Sequence, residues 1–136
     1  MYKAEEVVGI AIVCSDPRAN LWKRVKQVVI PHGRIYVPIS VLGGPISLVY
    51  PQELNLDHHT LLGQIHFALS GFPHTAEILS VTHDCGYYEK MGKNPGLQTK
   101  KEDAGRISAF IKAHFDLQVR SLFADDQESE RFEEIR

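Results

Sequence analysis

The sequence predicts an α/β domain, a three-layer sandwich in which helices cover both faces of a mostly parallel central sheet. Short apolar, β-branched runs recur along the chain, segments with apolar residues at helical spacing separate them, and Gly or Pro marks the junctions. With 136 residues, 43% of them hydrophobic, the chain can bury a core without disulfides. We expect a single domain over residues 1–124 and an acidic tail over residues 125–136.

The elements of the first half begin with residues 6–13 (EVVGIAIV), a run typical of a strand buried on both faces. Asp16 before Pro17 predicts the start of a helix, because Asp caps unpaired N–H groups and Pro suits the first helical position. Pro38 predicts an edge position or an irregularity for the strand that contains it. The sequence predicts that strand at residues 34–42, a tight turn at residues 43–45 and a short extended piece at residues 46–50.

The second half contains two further helices and two further strands. Asp57 is positioned to cap one helix, and the Thr99–Glu102 pair has the spacing of a capping box that opens the other. Residues 77–82 (EILSVT) and 117–123 (LQVRSLF) predict strands. The acidic tail fits a solvated final helix or a disordered end.

Composition and charge exclude several classes of protein. Residues 125–136 hold six acids and two arginines, a net charge of −4, so the rest of the chain carries +2 of the total of −2. A nucleic-acid binder would show a stronger basic excess. No apolar run approaches the roughly 20 residues that span a bilayer, and the N-terminus lacks the layout of a signal peptide. Two cysteines do not make a disulfide-dense secreted scaffold, so we expect a cytoplasmic protein.

Both cysteines follow predicted strands. Carboxyl ends of parallel strands meet at one edge of a sheet, where ligands bind near the point of reversed strand order. Zinc favours thiolate and imidazole ligands, and His83 lies two residues before Cys85. We therefore predict a zinc site with one open position, formed by Cys14, His83 and Cys85. The alternatives for each cysteine are a small apolar core residue or a redox pair of the two.

The turn after the first cysteine carries a second candidate pair. Asp16 and Arg18 are close enough in sequence to form a bidentate ion pair. The pair could orient a metal-bound water, or Asp16 could itself bind the metal. Asp16 could also be only a helix cap, and Arg18 only a solvated residue of the first turn.

Two segments resemble motifs of one enzyme family. Residues 14–18 (CSDPR) resemble the Cys-x-Asp-x-Arg motif of the β-class carbonic anhydrases, and residues 83–86 (HDCG) resemble that family's His-x-x-Cys-Gly motif. The resemblance covers roughly residues 6–124 and implies the fold of that family. The residues that it assigns are three zinc ligands and a dyad that controls the fourth position: Cys14, His83, Cys85, Asp16 and Arg18.

The resemblance implies a zinc-dependent lyase of the carbonate dehydratase type, which hydrates carbon dioxide reversibly to bicarbonate through zinc-bound hydroxide. The partner would be a small-molecule substrate, with His58, His59 or Tyr87 as candidate proton shuttles. Family members usually pair subunits, so a homodimer is also implied. The alternatives are a carbonic anhydrase-like module whose chemistry is altered or lost, or a related reaction on carbonyl sulfide or carbon disulfide.

Three features depart from the family pattern. The family's histidine lies three residues before its cysteine, where this chain has Thr82. His83 is one step late, and a one-residue shift turns a side chain to the opposite face of a strand, so ligation by His83 requires a bulge or a bend. The family's Arg-Asn-Ala-Gly stretch is replaced by residues 41–45 (VLGGP). The chain is also short and contains no counterpart of the N-terminal helices that wrap a partner subunit.

Overall fold

The computed structural model describes residues 2–16, 19–50, 58–84, 88, 92, 95–124 and 131–136. A short 3-10 turn, Ala4–Glu6, comes before the first strand. The elements that follow are β1 Val7–Cys14, α1 Leu21–Val28, β2 Ile35–Val41, a 3-10 helix Gly44–Leu48, α2 His58–Gly71, β3 Glu77–His83, α3 Leu97–Phe115, β4 Gln118–Ala124 and β5 Phe132–Ile135. The predicted alternation of strands and helices is confirmed.

The strands form one sheet in the order β2-β1-β3-β4-β5. β1 pairs in parallel with β2 and with β3, and β3 pairs in parallel with β4, whereas β5 is antiparallel to β4. The predicted mostly parallel sheet is therefore confirmed. Pro38 lies in β2, which is an edge strand, as its missing N–H group predicts.

Helices cover both faces of the sheet. On one face, alternate residues of β1 such as Ile10 pack in a cluster with Ile65 of α2 and Ile107 of α3. On the other face, Val13 packs in a second cluster with Val25 of α1. Burial of both faces explains the nearly continuous apolar sequence of β1. None of the helices in the described part of the chain combines the length and the apolar character that a membrane crossing requires.

The extended piece predicted at residues 46–50 is wrong. The segment Gly44–Leu48 forms a fully buried 3-10 helix instead, with Pro45 in its first turn. Gly43 and Gly44 have φ values of +80° and +58°, and this left-handed conformation turns the chain inward after β2. The 3-10 helix consequently contacts β1, β3 and α3 and forms part of the core.

Two predicted helix starts also differ from the structure. α1 begins at Leu21 after Asn20, because the backbone carbonyl of Asp16 accepts hydrogen bonds from Ala19 and Asn20 in a turn that comes first. α3 begins at Leu97, two residues before Thr99, since Leu and Gln are good helix formers and extend the helix toward its start. The predicted cap Asp57 lies outside the described residues.

Part of the acidic tail joins the sheet. Residues 132–135 form β5, which corrects the expectation of a helix or a disordered end for this part of the tail. The reason is that side chains of β5 find partners: the Arg24 guanidinium lies 5.4 Å from the centre of the Phe132 ring, and Arg120 Nη2 lies 2.8 Å from Glu134 Oε1. Residues 125–130 lie outside the described residues.

Candidate functional site

The pairing between β1 and β3 stops before their carboxyl ends, and the region between those two ends is called the crevice. The pairing of these two strands ends at Ile12 and Ser80. By contrast, β1 stays paired with β2 as far as Cys14, and β3 stays paired with β4 as far as His83. The strand order also reverses here. From β1 the chain first adds β2 on one side, and it then adds β3 and β4 on the other side. Open α/β sheets bind their ligands at such a reversal.

Cys14 is the last residue of β1, with only 4% of its surface exposed. The backbone N–H of Gly43 donates a hydrogen bond to the Cys14 Sγ at 3.3 Å. Such a bond is strongest to a thiolate, which is the form of cysteine that ligates metals. A Cβ on Gly44 would lie 3.0 Å from the Cys14 backbone nitrogen, so the VLGGP loop is in close contact with the end of β1.

His83 is the last residue of β3 and is 8% exposed, with both ring nitrogens buried. β3 pairs with β4 in a continuous register through Thr82 and His83, so the bulge that ligation was expected to require is not found in this pairing. Regular alternation would set Thr82 and His83 on opposite faces of the strand, but both residues line one small cavity at the end of β3, together with Ile107 of α3. The register retains the one-residue displacement from the family motif.

The structure describes only part of the predicted site. Cys14 and His83 lie at the same edge of the sheet, and Asp16 is half-buried in the turn after β1. Arg18 and Cys85 lie outside the described residues. Within the described ranges, His, Cys, Asp and Glu side chains form no group of three that could hold a metal ion.

The candidate proton shuttles are described only in part. His59 is exposed on α2, whereas the side chains of His58 and Tyr87 lie outside the described residues.

A small cavity lies at the end of β3. Its volume is about 10 Å³, room for about one water molecule. Thr82, His83, Tyr88 and Lys100 contribute its polar lining, and Gly43 lies in its wall. Because Gly43 also donates to the Cys14 sulfur, it is a common neighbour of Cys14 and of the cavity beside His83.

A buried carboxylate anchors one wall of this cavity. Asp103 of α3 is 2% exposed, and its Oδ2 accepts hydrogen bonds from the hydroxyls of Tyr50 and Tyr88, both at 2.8 Å. Its Oδ1 accepts a hydrogen bond from Arg106 Nη1 at 2.9 Å. Burial raises the pKa of Tyr50, and the hydrogen bond to Asp103 and the charge of that carboxylate add to the rise.

Sequence reasoning missed Asp103. The available signal was its position four residues before Ile107, on the apolar stripe of the helix, where an unpaired acid would be costly. The burial of Asp103 is favourable because the hydroxyls of Tyr50 and Tyr88 donate hydrogen bonds to it, and both tyrosines lie outside α3. An acid on an apolar stripe therefore predicts that its carboxylate has buried hydrogen-bond partners, but it does not predict which residues these are.

Lys100 brings a cation to the same cavity. Its side chain is 12% exposed and forms an ion pair with Asp84, the residue after His83. Its Nζ lies 5.2 Å from the centre of the Tyr88 ring. Lys100 is thus a lining residue of the cavity rather than a surface charge.

Comparisons with known proteins add no further evidence on this site. The sequence matches no protein-family model, and no curated protein is significantly similar to it. A function for the site therefore depends on the two motifs and on the geometry of the strand ends.

Proposed function

We propose that this chain is a zinc-dependent enzyme of the β-class carbonic anhydrase type that hydrates carbon dioxide reversibly to bicarbonate. The observation that carries the proposal is the position of Cys14 and His83. Both residues are buried, and they end adjacent parallel strands where the strand order reverses. This placement is independent of the motif resemblance and agrees with it, since a ligand site is expected at such a reversal.

The donor chemistry of the crevice fits zinc. Structural and catalytic zinc sites take thiolate and imidazole ligands, and Cys14 and His83 supply one of each. Cys85, two residues beyond His83, would supply the third. A bound zinc ion would supply a nucleophile for carbon dioxide at neutral pH by lowering the pKa of water.

The cavity itself holds about one water molecule, and its lining residues offer both an apolar surface and a cation beside the proposed site. Ile46, Ala104 and Ile107 form an apolar wall, which suits neutral carbon dioxide. Lys100, in its ion pair with Asp84, places a cation beside the same wall. The dyad of Asp16 and Arg18 would orient the attacking group, as the resemblance implies.

A second candidate is a carbonic anhydrase-like module that binds a partner or a ligand without metal chemistry. The regular pairing of β3 through His83 favours it, because Thr82 then occupies the face that the family's histidine uses. A related enzyme acting on carbonyl sulfide or carbon disulfide is a variant of the first proposal.

The test measures zinc and carbon dioxide hydration on the same full-length protein. Elemental analysis of protein purified without chelator should find about one zinc per chain, since a single three-ligand site is proposed. Stopped-flow hydration should fall by more than about a hundredfold in both Cys14→Ser and His83→Ala. His74→Ala, at an exposed histidine after α2, should retain both zinc and activity.

The outcomes separate the candidates. A wild-type hydration rate equal to that of Cys14→Ser would refute the carbonic anhydrase function. A folded chain without zinc would support the binding module, and bound zinc with turnover only of carbonyl sulfide would support the substrate variant. Thr82→Ala tests which of the two adjacent residues is needed for zinc binding: it should retain zinc, whereas His83→Ala should lose it.

A further inference from the structure

A second cleft lies at the opposite edge of the sheet from the crevice. It opens beside the amino end of β2 and is formed by α1, by the connection after α1 and by the first residues of β2. Its volume of about 300 Å³ falls within the range of small-molecule sites. Side chains that line it include Trp22, Lys26, Ile30, His32, Arg34 and Tyr36.

The cleft is cationic. Lys26 and Arg34 line it, His32 adds a further polar ring, and no acid is among its lining residues. The excess reflects the sequence, since residues 17–52 contain five basic residues and no Asp or Glu. Glu77, which accepts a hydrogen bond from the Tyr36 hydroxyl, lies 3.8 Å from Arg120 and is engaged there. No residue that lines the cleft therefore carries a negative charge to balance Lys26 and Arg34.

Apolar and aromatic surface lies beside these cations. The Nζ of Lys26 is 5.3 Å from the centre of the Trp22 ring, so a cation is held over the indole. The Tyr36 ring is fixed because its hydroxyl donates to Glu77. Ile30 completes an apolar wall, so the cleft combines a hydrophobic surface with a few convergent charges, as ligand sites do.

We infer that this cleft binds a small organic anion with an aromatic or apolar body. Its carboxylate or phosphate would lie against Arg34 and Lys26, because a guanidinium matches two anionic oxygens in a bidentate pair. Its body would pack against Trp22 and Ile30. The inference does not depend on the function proposed for the crevice, since the two sites lie at opposite edges of the sheet.

Trp22 provides a specific readout, because it is the only tryptophan of the chain. Titration of the full-length protein with phenyl phosphate or with benzoate should change the Trp22 fluorescence saturably. Inorganic phosphate and neutral benzyl alcohol should each bind at least about tenfold more weakly, since each lacks one of the two recognised features. Binding of either anionic probe supports the inference, and the tighter one identifies the preferred head group.

Three variants localise the binding. Arg34→Gln and Lys26→Gln should each weaken the binding of the tighter probe about tenfold through loss of a charge-assisted contact. Lys23→Gln removes an exposed lysine from the same helix that does not line the cleft, and it should leave the affinity unchanged. Circular dichroism confirms that each variant is folded.

Three results would overturn the inference. They are the absence of a saturable change with both anionic probes, equal affinity for inorganic phosphate, and an equal loss in Lys23→Gln and Lys26→Gln. The last two would show general attraction of anions to a basic surface.

Discussion

The two edges of the sheet are built in opposite ways. At the amino edge, side chains tie the strands together across the sheet: Tyr36 of β2 donates to Glu77 of β3, and Arg120 of β4 lies 3.8 Å from the same carboxylate. At the carboxyl edge, β1 and β3 stop pairing at Ile12 and Ser80. Side chains thus connect β2, β3 and β4 at their amino ends, whereas the pairing of β1 with β3 stops before their carboxyl ends.

Gly9 makes the tie at the amino edge possible. The Tyr36 ring crosses β1 to reach β3, and a Cβ on Gly9 would lie 2.1 Å from the Tyr36 Cε2 atom. The connection extends to β5, the strand at the side of the sheet beyond β4, since Arg120 Nε donates to Glu134 Oε1 at 2.9 Å. A missing side chain in β1 thus allows a connection among the other four strands.

The carboxyl edge is supported by a network beside the strands. Asp103 of α3 accepts hydrogen bonds from Tyr50, Tyr88 and Arg106, and Tyr88 lines the cavity next to His83.

The largest effect is expected from Asp103→Ala, which removes the acceptor of two tyrosine hydroxyls at the carboxyl edge. We expect the free energy of unfolding to fall by about 2–4 kcal/mol, because the buried Tyr88 hydroxyl loses its hydrogen bond to Asp103, and the hydrogen bonds from Tyr50 and Arg106 are lost as well. Urea denaturation measures it. Glu102→Ala, at the exposed neighbouring residue, should change the free energy by less than about 0.5 kcal/mol. Equal values for the two variants would show that the network does not support this edge.

An intermediate effect is expected from Gly9→Ala at the amino edge. The new methyl group would displace the Tyr36 ring and break its bond to Glu77, at a cost of about 1–3 kcal/mol. The matched control is Gly63→Ala on α2, where a Cβ meets no atom within 4 Å. It should raise the stability by about 0.5–1 kcal/mol, as expected for an exposed helical glycine. A neutral or stabilising Gly9→Ala would contradict the proposed tie.

The smallest effect concerns pH. Burial, the hydrogen bond to Glu77 and the charge of Glu77 together raise the pKa of Tyr36 to about 12, with burial the largest cause. An unfolded tyrosine ionises near pH 10, so the unfolded chain loses this proton first and stability falls from about pH 10 to about pH 12. Tyr36→Phe should lower the stability at neutral pH by about 1 kcal/mol and should reduce that alkaline fall. Melting temperatures from pH 8 to 12 measure both, and parallel curves for the two proteins would contradict the assignment.

Local sequence patterns predicted most of the sheet because burial on both faces leaves a direct signature. The run at residues 6–13 corresponds to β1, and the run at 77–82 corresponds to β3. The pattern failed at residues 46–50, where the left-handed Gly43 and Gly44 turn the chain into the core. It failed at β5 as well, since four residues with two acids become a strand only through pairing with β4.

The candidate site shows the same division. The sequence predicted that Cys14 and His83 follow buried strands and that their chemistry suits zinc, because residue type and strand ends are local properties. It contained only an indirect signal for Asp103, because the burial of that acid depends on contacts between distant segments.

By itself, the sequence determined the α/β class, the strand ends that carry the cysteine and the histidine, and the basic character of residues 17–52, since each follows from residue type and short-range periodicity. Only the tertiary structure decided the strand order, the reversal between β1 and β3, the register of β3 with β4 through His83, and the cleft beside Trp22. The physical reason is that strand order and register are set by pairing and packing between segments far apart in the chain, which no local pattern specifies.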